Sequence, residues 1–355
     1  MSLEELRKKI DTLDENIIQL LSRRASIAVD IAKIKAQAGM KSFYDPVREK
    51  QVYNRITDLN QGPLPDKALQ SIYKEVMSAT LALEQPLQVA YLGPQTTFTH
   101  MACLQHFGNG ASLLPCDSID SVFSMVEKRR ADYGVVPVEN STEGVVNHTL
   151  DRFVDSDLAI CGELFVEVTH HLLSTTDIEK VTKLYIHPQT EAQCRTWLRK
   201  NLPGIELCEV YSNARAAECA AADSCSAAVA GKLAANHFGL NILAEHIEDS
   251  SSNRTRFLVI SHTPLTEASG RDKTSIIFSV RHQAGALYKA LHPFERHAVN
   301  MTMIESRPTK KRPWEYIFFI DVQGHHTYPD IVESLKEMKE HALFIKILGS
   351  YPEAD

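Results

Sequence analysis

Along residues 3–40 the apolar side chains Leu6, Ile10, Leu13, Ile17, Leu20, Ile27, Ile31 and Ile34 recur three and four apart, with a single gap. No proline interrupts the run, and its one glycine, Gly39, stands near its end. The period predicts one long helix with a coiled-coil-like seam, about 55 Å long at 1.5 Å per residue. So short a segment cannot cover that stripe by itself, so the pattern predicts a second chain and a dimer. Asp45-Pro46 opens a second helix, with Asp45 as N-cap. Gly62-Pro63-Leu64-Pro65-Asp66 separates it from a third helix over residues 66–84.

From Val89 the pattern changes to short apolar runs, each followed by a polar loop and a helical stretch. Val89–Leu92, Tyr133–Val136, Lys183–Ile186 and Glu209–Tyr211 read as strands. The alternation argues for parallel α/β sheets, with ligands outside the carboxyl ends of the strands. Two subdomains around a crevice fit the length. Beyond the polar stretch Thr263–Lys273 come strands at Ser275–Val280, Asn300–Glu305, Glu315–Val322 and Leu343–Leu348, and helices near 285–297 and 329–341. That order is the ferredoxin-like βαββαβ unit. The expectation is a multidomain chain: an all-α domain over 1–86, a two-lobed α/β domain over 87–263 and an α+β domain over 272–355.

Composition narrows the function classes. The 355 residues are 44% hydrophobic and 23% charged, which excludes wholesale disorder. A net charge of −7 argues against a nucleic-acid binder. No apolar run approaches the roughly 18 residues of a membrane span, and the charged N-terminus does not read as a signal peptide, so a cytoplasmic protein is expected. The seven cysteines form no CxxC pair, and an odd count does not suit a disulfide framework. The 15 histidines include the adjacent pairs His170–His171 and His325–His326 but no metal-ligand spacing, so neither metal nor cofactor is expected.

Continuing the seam through 13, 17 and 20 leads to Arg24, a cation at an apolar position. Burying it requires an anion. Lys35, eleven residues on, shares its face, whereas Arg7 points elsewhere. Spacing alone fits either a solvated face with one register-fixing salt bridge or an anion site. Leu6-Arg7-(x)3-Asp11-(x)2-Asp14-(x)9-Arg24-(x)10-Lys35, then Arg48-Glu49, then Thr80-(x)3-Glu84 resembles the all-helical chorismate mutases. The resemblance implies that Arg24, Lys35 and Arg48 hold the two carboxylates of chorismate, with Arg7 supplied by the other subunit of a homodimer. It also implies that Asp45 and Glu49 bind the ring hydroxyl, and that Lys35 and Glu84 face the breaking ether oxygen, with Thr80 in the same site. A pericyclic rearrangement needs a compact conformer, and cations or donors where negative charge grows. Some family members carry glutamine where this chain has Glu84. To donate, Glu84 must be protonated, which burial favours and nearby cations oppose.

Asn253-Arg254-Thr255-Arg256-Phe257 precedes the apolar run Leu258–Ser261 and by itself fits a strand-leading loop as well as a site. Taken with Gly93-Pro94-x-x-Thr97-Phe98, Pro137-Val138-Glu139-Asn140-Ser141 and His187-Pro188-Gln189, it resembles the prephenate dehydratases across residues 88–262. That resemblance assigns proton donation to Thr255, carboxylate binding to Arg256, and the crevice lining to Glu139, Asn140, Ser141 and Gln193, with Thr97 and Phe257 in the motifs. Two positions depart from the family pattern. Thr96 replaces a glycine, which strains the backbone if φ is positive, and Ile186 replaces a serine expected at the crevice rim.

Gly285-Ala286-Leu287, at the head of a helix, and Glu305-Ser306-Arg307-Pro308, after a strand, resemble the ACT regulatory domains. They imply a site for phenylalanine as allosteric inhibitor, its carboxylate at the helix N-terminus. The whole chain thus resembles the bifunctional chorismate mutase–prephenate dehydratases of phenylalanine synthesis, acting on chorismate and then prephenate. A non-catalytic sensor and a chain with one decayed site are the other readings. Turnover of each substrate separates them.

Overall fold

A computed structural model describes residues 2–37, 46–84, 86–250, 252–308 and 316–354. The chain forms two compact units, one of residues 1–88 with 107–112, the other of 89–106 with 113–355.

The first unit is helical: α1 (Leu3–Gln37), α2 (Pro46–Leu59) and α3 (Asp66–Glu84). The seam of α1 is exposed: Leu13 is 59% and Ile34 65% accessible, and Leu6, Ile10, Ile17, Leu20, Ile27 and Ile31 are exposed with them. A contiguous apolar stripe of this kind marks an interaction face.

The second unit begins with β1 (Gln88–Leu92), α4 (Phe98–Phe107), β2 (Ser112–Cys116), α5 (Ile119–Glu127), β3 (Tyr133–Asn140), β4 (Gly144–Val145), α6 (Asn147–Asp155) and β5 (Ala159–Glu167). The chain then crosses to a second lobe, with β6 (His171–Ser174), β7 (Lys183–Ile186), α7 (Pro188–Gln193), α8 (Arg195–Asn201), β8 (Glu206–Glu209), α9 (Asn213–Ala222), β9 (Ser226–Ala230), α10 (Lys232–Phe238) and β10 (Asn241–Ala244). It returns to the first lobe as β11 (Arg254–Ser261). The two crossings run side by side, Val168 N donating to Asn253 O at 2.8 Å.

The first lobe's sheet has the order β2-β1-β3-β11-β5, with β4 beside β3, and the second lobe's has β10-β6-β9-β7-β8. Both are mixed, which corrects the expectation of parallel sheets. The returning β11 lies antiparallel between β3 and β5, and β6 lies antiparallel between β10 and β9. The strand expected at Glu209–Tyr211 is β8, ending at Glu209, so Tyr211 belongs to the loop. In the second lobe, buried alanines of β9 and α9 pack face to face, where small side chains let helix and sheet approach closely.

The C-terminal region adds β12 (Asp272–Val280), α11 (Ala286–Arg296), β13 (Met301–Pro308), β14 (Tyr316–Gln323), α12 (Pro329–Lys339) and β15 (Ala342–Pro352). Its sheet order, β13-β14-β12-β15, is the ferredoxin-like one. This sheet is not a freestanding layer. Ile277, Ile317, Phe319, Leu348 and Tyr351 share one core with Val136, Leu150, Phe153, Ile160 and Leu258 of the first lobe. At Gly349 the two sheets come so close that a β-carbon would collide with the Ile160 carbonyl oxygen.

Candidate active sites

In the helical unit, α1 and α3 bring Arg24 to Thr80: Arg24 Nη1 donates to Thr80 Oγ1 at 3.1 Å. Thr80 is buried, and its hydroxyl donates to Val76 O at 2.6 Å, so its oxygen is held for Arg24. Glu84 lies one turn beyond and interacts with both Lys35 and Arg24. Burial raises the Glu84 carboxyl above its ordinary range, outweighing the downward pull of Lys35 and Arg24. On α2, Glu49 Oε1 accepts from Tyr53 Oη at 2.6 Å, and burial with that carboxylate pushes the Tyr53 phenol up. Arg48 Nη1 donates to Gln51 Oε1 at 3.2 Å. The structure therefore gathers Arg24, Lys35, Thr80 and Glu84. Arg7 precedes Arg24 by seventeen residues on one helix, about 25 Å along its axis, so this chain's own Arg7 does not reach the cluster. Asp45 lies outside the described residues.

Between the two lobes of the second unit is a crevice of about 240 Å³, its walls including Phe98, Asn140, His170, Gln193, Asn213 and Thr255. Thr255 stands opposite Asn140 in the β11–β3 register, and Asn140 Nδ2 donates to Thr255 Oγ1 at 2.9 Å. The same Nδ2 lies 2.7 Å from Asn253 Oδ1, and Asn140 Oδ1 accepts from the Thr142 and Glu143 amides, which fixes the flip of the side chain. Among the described residues no acceptor takes the Thr255 hydroxyl hydrogen. Thr255 Oγ1 thus accepts an N–H bond on a residue that lines the crevice.

From the second lobe Gln193 Nε2 donates to Glu143 Oε1 at 2.9 Å, across the crevice, and Gln189 Nε2 contacts the same carboxylate. With its nitrogen so placed, Gln193 Oε1 accepts from His170 Nε2 at 2.8 Å. His170 is 1% exposed, and burial lowers its pKa, so the ring is neutral at pH 7. No lysine or arginine is among the described residues lining the crevice.

Several expected site residues lie elsewhere. Arg256 does not line the crevice: it is 5% exposed and ion-paired to Glu163 and Asp321 on the opposite face of the sheet. Adjacent strand residues point to opposite faces, so Thr255 and Arg256 cannot share a pocket. Glu139 pairs with Arg256 in register and is absent from the crevice wall. Phe257 is core, 1% exposed. Ser141 Oγ bonds Ser252 O and Arg254 N, closing the entry to β11. Thr97 Oγ1 donates to Pro94 O at 3.0 Å and accepts from His100 N at 3.2 Å, bracing the start of α4. Ile186 is fully buried in the second lobe's core, so it is not a rim residue.

In the C-terminal sheet, Ser279 and Arg307 both stand level with Ile317, so the loop before Gly285 and the Glu305–Pro308 motif lie toward the same end of the sheet. Gly285, at φ 76°, turns the chain into α11, a left-handed conformation that suits glycine. Arg307 forms a two-pronged ion pair with Asp151 of α6, at 3.2 and 3.3 Å.

Residues 6–85 match the chorismate mutase type II family, 89–265 the prephenate dehydratase family and 274–340 the ACT domain. A bifunctional chorismate mutase/prephenate dehydratase from Aquifex aeolicus is 51% identical over 357 residues, 99% of this chain and 98% of that protein. The chain belongs to the bifunctional chorismate mutase/prephenate dehydratase family. Among solved structures, a prephenate dehydratase from Arthrobacter aurescens in complex with L-Phe is similar at 33% identity and TM-score 0.69, over 75% of this chain and 90% of that one. Another, described as GqqA, a novel type of quorum-quenching acylase, is similar at 31% identity and TM-score 0.68, over 74% of this chain and 96% of that one.

Thr96, where the resemblance implies a glycine, carries a positive φ of 70°, and its buried Oγ1 has no hydrogen-bond partner among the described residues. A β-branched residue there costs about 1–3 kcal/mol, more than the chain entropy that glycine adds to the unfolded state. Thr96→Gly is expected to stabilise the second unit by about 1 kcal/mol and raise its melting temperature by about 2–4 °C, measured by differential scanning calorimetry. The meeting of His170, Gln193 and Glu143 left no signal in the sequence, since no local motif marks side chains that come together only when two lobes face each other.

Proposed function

We propose that the chain catalyses two successive reactions, chorismate to prephenate at the helical site and prephenate to phenylpyruvate in the crevice, with phenylalanine as feedback inhibitor at the C-terminal sheet. The observation carrying the second step is the Asn140–Thr255 hydrogen bond. Thr255 gives its proton to the departing ring hydroxyl, which leaves as water. The ring carboxylate leaves as CO2, and its bonding pair completes the aromatic ring. Asn140 stabilises the negative charge left on Thr255 Oγ1, which solvent then reprotonates. The crevice supplies neutral amide and hydroxyl donors for the substrate's carboxylates rather than an arginine clamp.

At the helical site no covalent partner is needed. Arg24 and Lys35 draw the dianion into a compact conformer, and Lys35 with protonated Glu84 meets the charge that grows on the ether oxygen. The exposed seam of α1 supports a homodimer, with Arg7 of the partner subunit completing each site.

Arg24→Ala is expected to lower chorismate turnover by about 10²–10³-fold while the same preparation forms phenylpyruvate from added prephenate at the parent rate. Equal loss of both rates would refute separate sites. Glu84 gives a pH test. Its pKa is raised, so the useful proton is present at low pH and is lost as pH rises through that value. Mutase kcat should therefore fall on the alkaline side in the parent and stay flat in Glu84→Gln, read from pH–rate profiles.

A further inference from the structure

The side chain of Arg256 is spent away from the crevice, in a buried ionic cluster. Its Nε donates to Glu163 Oε2 at 2.7 Å, its Nη1 to Asp321 Oδ2 at 2.6 Å and its Nη2 to Tyr351 Oη at 3.1 Å. Ser275 Oγ donates to the second oxygen of Asp321, and Lys273 Nζ donates to both oxygens of Glu163 at 2.8 and 3.0 Å. Arg256 and Glu163 come from β11 and β5 of the first lobe, the other four from the C-terminal sheet. Two cations balance two anions, and every member is buried.

Greasy sheet faces slide by fractions of a side chain, but a buried ionic network does not: displacing one charge strands another in a medium that cannot solvate it. The cluster therefore makes β11 and the C-terminal sheet move together. Arg256 is bonded through one peptide to Thr255, so the residue that grips the sheet neighbours the residue that donates the proton. Ala354 N also donates to Glu163 Oε1 at 3.2 Å, whereas two further polar links between sheet and lobe are placed differently. Arg307–Asp151 and the bonds of Lys346 Nζ to Phe153 O and Ser156 O reach α6 and its end, not β11.

We propose that Arg256, with Glu163 and Asp321, is a positioning device that couples the C-terminal effector domain to Thr255. Effector binding shifts the C-terminal sheet, the cluster drags β11, and Thr255 leaves its alignment with Asn140. The inference rests on the reading of the crevice as a prephenate dehydratase inhibited by phenylalanine.

The test uses the full-length chain and three variants: Asp321→Asn, Ser275→Ala, and Lys346→Met as a control at the same interface. Phenylalanine binding is measured by titration calorimetry with and without prephenate, and prephenate kcat and KM are measured with and without saturating phenylalanine. Linkage makes the mutual effect on affinity one coupling factor. Asp321→Asn should bind phenylalanine within threefold of the parent, while its coupling factor falls to within twofold of unity. Ser275→Ala, which strands no charge, should move the same way and decides the matter if Asp321→Asn fails to fold. Lys346→Met should keep the parent's coupling. Retained coupling in Ser275→Ala and Asp321→Asn overturns the proposal, as does equal loss in Lys346→Met. A parent that turns over no prephenate, or binds no phenylalanine, instead sinks the underlying functional reading, and the proposal with it.

Discussion

Thr255→Ala is expected to lower phenylpyruvate formation from prephenate by about 10²–10⁴-fold, the usual contribution of a positioned proton donor. The hydroxyl is poorly acidic in water. In the crevice its oxygen already accepts the Asn140 N–H, so the charge that develops on proton transfer has a waiting partner. Alanine removes the proton and leaves Asn140 still bonded to Asn253 Oδ1, so the site keeps its shape. The loss should fall on kcat, with KM changing by less than about threefold, since the donated proton matters in the transition state and not in binding. Chorismate turnover should be untouched. Initial rates on each substrate check both statements. A Thr255→Ala enzyme that retained more than a tenth of the parent's kcat would remove Thr255 from the role of acid.

Ending the chain after Thr263, so that the ACT region is removed, is expected to abolish dehydratase activity by unfolding the first lobe rather than by deregulating it. The C-terminal sheet supplies Ile277, Ile317, Phe319, Leu348 and Tyr351 to the lobe's own core. It also holds Asp321 and Lys273, the partners of Arg256 and Glu163. Its removal opens that apolar core to water and leaves Arg256 and Glu163 with only each other, in a domain whose total stability is of the order of 5–15 kcal/mol. The truncated chain should show no cooperative melting transition for the dehydratase unit and should form no phenylpyruvate. A truncated chain that melted cooperatively and turned over prephenate free of phenylalanine inhibition would show the effector domain to be a detachable sensor.

What the sequence made legible follows from the kind of signal each feature leaves. The α1 seam repeats over about eight turns, and one cation in it, Arg24, is conspicuous; both are periodic facts. Thr255 and Arg256 were singled out together through a motif, but only Thr255 lines the crevice, and Arg256 lies on the other face of the sheet. Read as a loop, Arg254–Phe257 carries no rule about faces. Once β11 begins at Arg254, the two-residue period sends Thr255 and Arg256 to opposite sides. The mixed sheets were hidden for a related reason: strand and helix alternate along the chain whether or not a distant strand returns antiparallel. The shared core left no trace because Thr263–Lys273 looks like any polar linker, and apolar alternation in β12 does not say which neighbour it buries against. Glu84 was legible as a question about competing effects, and in the fold burial raises its carboxyl against the pull of Lys35 and Arg24.

The most direct test of the two-site account is phenylpyruvate formation by the parent chain from chorismate and from prephenate, each with and without phenylalanine. The account predicts product from both substrates, with phenylalanine suppressing both at the dehydratase step while prephenate still accumulates from chorismate. A chain that binds phenylalanine but leaves prephenate untouched would contradict it, and the crevice would then be a sensor rather than an active site.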